Sequence, residues 1–343
     1  MNEALLRRLT AINGVSGQEE AVRNSLIEEI TPFAETLRVD SIGNLIVEKR
    51  GEKTPSRKIM VCAHMDEVGL IIKKITSDGF LKFGCVGGID RKVLIGKRVK
   101  VGKNGIDGVI GVKAVHLLEK EEKKTAPSVE KLYIDIGAAS KEEAETVVDL
   151  GDYAAFSGEY IAFGEGKICA KALDDRAGCA VMCELMQEEQ KYDSTFVFTV
   201  QEEVGLRGAQ VAAYQERPDF VLVLETTSAA DFLEKREQWV SQCGGGVVIS
   251  VMDRGTIYDR ELINIAVEEA QKHGIAYQMK QSIAGGNDAG ALQRGGEGAK
   301  VLALSLPCRY LHTSACVIDQ RDFEAMKALA GKILARLGGL CDE

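Results

Sequence analysis

The chain has 343 residues and, with 52 Asp plus Glu against 43 Lys plus Arg, a formal net charge of −9. That length suits about two domains of ordinary size, and 45% hydrophobic with 28% charged residues is a usual globular balance. No apolar run approaches the ~20 residues of a membrane span, and an acidic chain without a basic block lacks the electrostatic footprint of a nucleic-acid binder.

The N-terminal stretch MNEALLRRLTAINGVSGQEE has no apolar h-region and no small-residue cleavage site, so a cytoplasmic location is expected. The first third reads as helical. Ser16-x-x-Glu19 has the form of a capping box, followed by Val22, Leu26, Ile27 and Ile30 at helical spacing before Pro32. Segments 37–40 and 45–49 flank Ile42-Gly43-Asn44 and predict a hairpin, and 58–63 predicts a short buried strand that stops at His64. From Val68 to about Phe163 the texture changes. Short β-type runs at 68–73, 80–83, 98–101, 109–115 and 132–136 are separated by glycine turns and predict a small barrel-like module. The charge-rich segment 119–127 is expected to be a solvated, mobile loop.

After Lys167 the spacing predicts strands at 195–200, 220–224 and 300–306. It also predicts helices at 176–187, 259–272 and 321–337, the last two stopped by Gly274 and by Gly338-Gly339. Strands alternating with helices on both sides of a β-only stretch predict one discontinuous α/β domain, residues 1–67 plus 164–343. Residues 68–163 form the inserted β-rich module. The nine cysteines are scattered without a CxxC pair, which suits neither a zinc ribbon nor a disulfide framework; buried thiols in a reducing compartment are expected.

In open α/β sheets, function gathers at the carboxyl ends of the strands. The 58–63 run is followed by His64-Met65-Asp66, the 195–200 run by Gln201-Glu202-Glu203, and the 220–224 run by Glu225. The 300–306 run continues to His312, and Asp174-Asp175 opens a helix. Each alone has a plain structural alternative, an N-cap for the aspartates and a solvated pair for the glutamates. Together, two His and several carboxylates make the donor set of a divalent-metal pair. Two close metals need a bridging carboxylate, separate ligands for each, and one further carboxylate free to take a proton from water. Adjacent glutamates can supply ligand and base, and Asp66 can accept the other imidazole N–H of His64.

His64-x-Asp66, Ala172-Leu173-Asp174-Asp175-Arg176, Gln201-Glu202-Glu203-Val204-Gly205 and Arg309-Tyr310-x-His312 resemble, in combination and in order, the M42 family of cocatalytic metallo-aminopeptidases. Leu132-Tyr133-Ile134-Asp135-Ile136-Gly137-Ala138 extends the resemblance into the inserted module. The resemblance implies that Asp174 bridges two metals, that His64 and Glu225 complete one site, and that Glu203 and His312 complete the other. It makes Glu202 the general base and Asp66 the residue that orients His64. It further implies a three-layer α/β/α zinc-peptidase-like domain with an inserted PDZ-like or barrel module used for oligomerisation. Two divalent ions per subunit are expected, zinc first, with cobalt or manganese as alternatives. The implied substrates are peptides with free N-termini, and the implied assembly is dimers building a hollow tetrahedral dodecamer, without nucleic-acid or membrane partners.

Three positions depart from the family pattern: Glu225 stands where Asp is commoner, Asn287 where Thr is commoner, and Thr313-Ser314-Ala315-Cys316 lacks an expected proline. Asp288, in a glycine-rich turn, is either a backbone cap or a substrate contact, whereas His273 and Asp175 read as structural and His116 as structural or interfacial. Paired carboxylates also serve glycoside hydrolases. That reading leaves His64 and His312 unexplained, and one Trp with 6% aromatics gives few platforms for sugar stacking.

Overall fold

The structure is a computed structural model that describes residues 1–232 and 235–340; Cys341 lies outside the described residues. Its centre is an eight-stranded mixed sheet. Across the sheet the strands run Thr36–Val39, Leu45–Lys49, Ser194–Thr199, Ile59–His64, Phe220–Ser228, Lys300–Cys308, Val247–Ile249 and Tyr277–Met279. Four neighbours, from Ser194–Thr199 to Lys300–Cys308, are mutually parallel. They read as near-continuous apolar runs because helices cover both faces: all six residues of Ile59–His64 are buried.

One helical layer is centred on Leu173–Gln187 and Gln320–Gly339, which pack on each other and on the sheet, with Glu3–Ala11, Glu20–Ile30 and Arg260–His273 around them. The other layer is Arg207–Glu216 with Ala289–Arg294, packed on each other and on the sheet. The result is the expected three-layer α/β/α domain.

The inserted segment closes into a six-stranded barrel in the order Gly69–Ile75, Leu81–Val86, Tyr133–Asp135, Ile106–Gly111, Arg98–Val101, Tyr153–Phe156. It has its own core, including Leu70, Ile72, Leu81, Phe83, Val99, Ile110 and Ile134. Closure removes the free edges that strands this short would otherwise expose. The strand Ile161–Phe163 is not part of the barrel. It pairs with Lys167–Ala170, which in turn pairs with Cys316–Asp319.

Several local expectations change. Ser16 and Glu19 do not form a capping box: helix Glu20–Ile30 has no side-chain cap. Ser16 instead donates to Asp66 at 2.6 Å, and Glu19 accepts the Gly17 and Gln201 N–H groups. Both residues are drawn away to the strand ends. The Gly338-Gly339 pair does not stop the last helix, which runs through it; glycine stands at 338 because a Cβ there would collide with the Tyr192 ring. Gly274 does stop its helix, in the left-handed region at φ 63°. The strand starting at Phe220 continues to Ser228, so Glu225 sits inside it, opposite Ser305. Segment 119–127 is mostly exposed, with one turn at Glu122–Lys124 and an ion pair from Glu122 to Lys131 at 2.6 Å. Six of the eight described cysteines are buried, and all eight are free thiols. No described helix is long and apolar enough to cross a membrane.

Candidate metal centre

At the carboxyl ends of the parallel strands, two imidazoles face one carboxylate. His64 ends its strand with Nε2 at 3.2 Å from Asp174 Oδ1 and 3.5 Å from Glu225 Oε1. His312, beyond the end of Lys300–Cys308, has Nε2 at 3.3 Å from Asp174 Oδ2 and 3.3 Å from Glu203 Oε1. Asp174 therefore presents one oxygen to each histidine. It can do so because the chain is not helical there: Ala172 is left-handed at φ 53°, and Asp174 (φ −85°, ψ 108°) and Asp175 (φ −118°, ψ 41°) break the first turn. The break sends the two aspartates apart. Asp175 is fully buried and accepts the Gly178 N–H at 3.0 Å.

The outer nitrogen of each imidazole is also held. His64 Nδ1 lies 3.1 Å from the Asp66 carbonyl and 3.4 Å from its carboxylate. The Asp66 carboxylate also accepts the Ser16 hydroxyl and the N–H groups of Glu202 and Glu203, at 2.6, 3.0 and 3.1 Å. One buried carboxylate thus ties His64 to the loop that carries both glutamates. His312 Nδ1 donates to the Gly88 carbonyl at 2.7 Å, an acceptor from the inserted module. Both imidazoles consequently turn Nε2 inward.

Electrostatically the cluster is under strain. Burial, with the Asp174 charge, pushes the Glu203 carboxyl up to about 8. Burial likewise takes Glu225 up to about 7, with His64 opposing, and Glu202 well above the usual carboxylate range. Burial works against the His312 imidazolium, but the Asp174 hydrogen bond and the Glu203 charge raise it to about 10. Burial would raise Asp174 too, yet the bonds from His312 and His64 outweigh it and hold that carboxyl well below the usual range. Carboxylates packed this closely call for added positive charge.

The donor chemistry fits divalent cations. His64, Asp174 and Glu225 offer three ligand atoms all within 4.8 Å of one another, and so do Asp174, Glu203 and His312. Mixed imidazole and carboxylate donors suit borderline-to-hard ions such as zinc or manganese. Glu202 lines the same cleft, beside His64 and Glu203.

A family model described as M42 glutamyl aminopeptidase matches residues 43–329. The chain belongs to the M42 peptidase family. It is 42% identical over 332 residues to a putative aminopeptidase of Acetivibrio thermocellus, covering 96% of this chain and 97% of that one. It is 32% identical to the lysyl aminopeptidase of Pyrococcus furiosus, covering 97% and 96% of the two chains. Among solved structures it is similar to the Pyrococcus horikoshii TET1 peptidase, which can assemble into a tetrahedron or a large octahedral shell. That match has a TM-score of 0.86 and 38% identity, over 96% of this chain and 98% of that one. As an M42 peptidase, the chain is an aminopeptidase and a hydrolase.

In this M42 peptidase, His64, Asp66, Asp174, Glu202, Glu203, Glu225 and His312 all converge. Asp288 lies apart from them in kind. It is 1% exposed and makes no capping bond, accepting instead from the Thr199 hydroxyl at 2.5 Å and the Cys62 thiol at 3.6 Å. It sits beneath the cleft wall, and its neighbour Asn287 lines the cleft. Asn287 accepts the Ala289 N–H and donates to the Tyr258 hydroxyl.

Sequence reasoning missed Gly88, Arg176 as a clamp, and Lys280. Arg176 is fully buried and donates to the Met65, Leu9 and Ile12 carbonyls at 2.7, 2.6 and 3.2 Å. Beside it, Lys171 pairs with Glu67 at 2.7 Å. Lys280 lines the cleft, which encloses about 300 Å³. None of the three is marked by a strand end followed by a His or carboxylate. A lone cation between a short strand and a glycine pair was the one signal available for Lys280. A hollow of about 390 Å³ at residues such as Glu35, Arg50 and Asp193 lies at the amino ends of the parallel strands, away from this donor set.

Proposed function

We propose that the protein is a dinuclear-metal aminopeptidase that removes the N-terminal residue of peptides. The observation that carries this reading is Asp174, one carboxylate shared between two three-residue donor sets, with Glu202 beside them. His64 and Glu225 would hold one ion with Asp174, and Glu203 and His312 would hold the other with it. Two divalent ions held there, zinc before cobalt or manganese, would supply Lewis acidity to the scissile carbonyl and to a water. Glu202 takes the proton of the attacking water and returns it to the leaving amine. Asp66 fixes the His64 ring and the backbone of the Glu202–Glu203 loop. The carboxylates of the cleft attract a free α-ammonium group, which favours attack at the first peptide bond.

Residues 1–67 with 164–343 act as the catalytic domain in this reading, and 68–163 as the module through which subunits assemble into dimers and a tetrahedral dodecamer within the cytoplasm. The relative from Pyrococcus horikoshii forms such shells. Light scattering of the purified protein tests the assembly; a monomer at all concentrations speaks against it. The activity is tested on a panel of aminoacyl-p-nitroanilides with metal-free protein and after adding zinc, cobalt or manganese. Metal-dependent release is expected. Turnover that survives exhaustive chelation counts against the metal centre.

A further inference from the structure

The loop that carries the two cleft glutamates is held by its backbone. Three successive N–H groups, those of Gln201, Glu202 and Glu203, donate to two buried carboxylates. Asp66 takes the second and third. The first goes to Glu19, whose Oε1 accepts the Gln201 N–H at 3.1 Å and the Gly17 N–H at 2.7 Å. Glu19 is 5% exposed and does not line the cleft. A glutamate is seldom so deeply buried unless it is paired, and here its partners are backbone donors. Gln201 is left-handed at φ 56°. A residue with a Cβ costs about 1–3 kcal/mol in that region and stays there only where its surroundings over-determine it.

The surroundings do so at both ends of the residue. Before it, Asn44 accepts the Val200 N–H at 3.0 Å; after it, Asp66 accepts the Glu202 N–H at 3.0 Å. Glu19 holds the N–H of Gln201 itself. With the N–H groups on both sides of its Cα anchored, Gln201 keeps neither φ nor ψ free, and the chain enters Glu202 in one direction. We propose that Glu19 is a positioning residue for the general base: by holding the Gln201 N–H it keeps residue 201 left-handed and so aims Glu202 into the cleft. This rests on the aminopeptidase reading above. Without that bond Gln201 relaxes toward an extended conformation and the Glu202 carboxylate swings out of line with the water it deprotonates. Glu203 stays tied through Asp66 and against His312, so the metal ligands keep their places. The loss then falls on proton transfer and spares substrate and metal binding.

Three substitutions separate reach from charge. Glu19→Gln keeps an oxygen at the same reach without the charge, Glu19→Asp keeps the charge but withdraws it by one methylene, and Glu19→Ala removes both. On the aminoacyl-p-nitroanilide that the native protein cleaves fastest, Glu19→Gln is expected to stay within about threefold of native kcat. Glu19→Asp and Glu19→Ala lose about 10–100-fold in kcat, with KM within about threefold and two zinc ions still bound by equilibrium dialysis. In the metal-free chain the Gln201 amide exchanges its hydrogen as slowly in Glu19→Gln as in the native protein, and at least about tenfold faster in the other two. If Glu19→Ala does not fold, the comparison of Gln with Asp still decides. Native kcat in Glu19→Asp and Glu19→Ala overturns the proposal, as does a Glu19→Gln variant as poor as either. A loss carried by KM or by a missing zinc ion does so too. Each of these leaves the aminopeptidase standing. A native protein silent on every substrate with every metal overturns the aminopeptidase reading, and the role of Glu19 with it.

Discussion

His312 and Glu202 both face the carboxylates of the cleft, yet their surroundings push them toward different work. Metal-free His312, raised to about 10, is protonated at neutral pH and lies against Asp174 and Glu203. A metal ligand must be the neutral imidazole, so loading that half of the centre expels a proton. Metal affinity therefore rises with pH up to about 10 and falls as the medium is acidified. Calorimetry of zinc binding in buffers of different ionisation enthalpy checks this, and uptake without proton release would refute it. In the metal-free chain the sign is the reverse. The charged histidine contributes stability fully below its ordinary value of 6.5, and that contribution fades as pH rises through about 10. Glu202 has no ligand role in the proposed mechanism. Glu202→Gln should keep two ions bound and lose about 10²–10⁴-fold in kcat; normal turnover in that variant would assign the base elsewhere.

Among the elements, the last helix carries the sharpest balance of opposing effects. Gly338 lies inside Gln320–Gly339, where alanine would gain about 1 kcal/mol of helix propensity. The Tyr192 ring occupies the space its Cβ needs, and overpacking of that kind costs about 1–3 kcal/mol. Gly338→Ala should accordingly lower the melting temperature, and a raised one would mean that the ring moves aside freely. The same residue explains why a helix stop is read there from sequence, since a glycine pair looks alike whether it ends a helix or admits a neighbouring ring. The donor set was legible because four continuous apolar runs, such as Ile59–His64, lead into a His or a carboxylate and one helix opens on an aspartate pair. Ser16 and Glu19 were not legible, because their partners, Asp66 and Gln201, are close only after folding. Short elements with little periodicity, such as Ala289–Arg294 and Tyr153–Phe156, left no pattern to find.

At the scale of the whole molecule, the barrel and the α/β domain meet at the candidate metal centre. Gly87 is left-handed at φ 83°, and a Cβ there would stand 2.8 Å from Val68 Cγ1 and 3.3 Å from Glu203 Cβ. Its neighbour Gly88 supplies the carbonyl that holds His312. Gly87→Val strains the turn and pushes it off Glu203 and His312 together. The expected result is one zinc ion bound as in the native chain and one weakened by about 10–100-fold, read by equilibrium dialysis. Equal weakening of both ions, or of neither, would detach the turn from the His312 half of the centre.

The Gly88 carbonyl lies 224 positions from the histidine it orients. The barrel is therefore no interchangeable cassette. A chimera that takes its insert from another member of the family takes the acceptor for His312 from that donor, and in the proposed mechanism the affinity for one ion would change with it. Grafting a foreign barrel while keeping the native residues 86–88 is the design that preserves the catalytic half on which the donor insert has no claim.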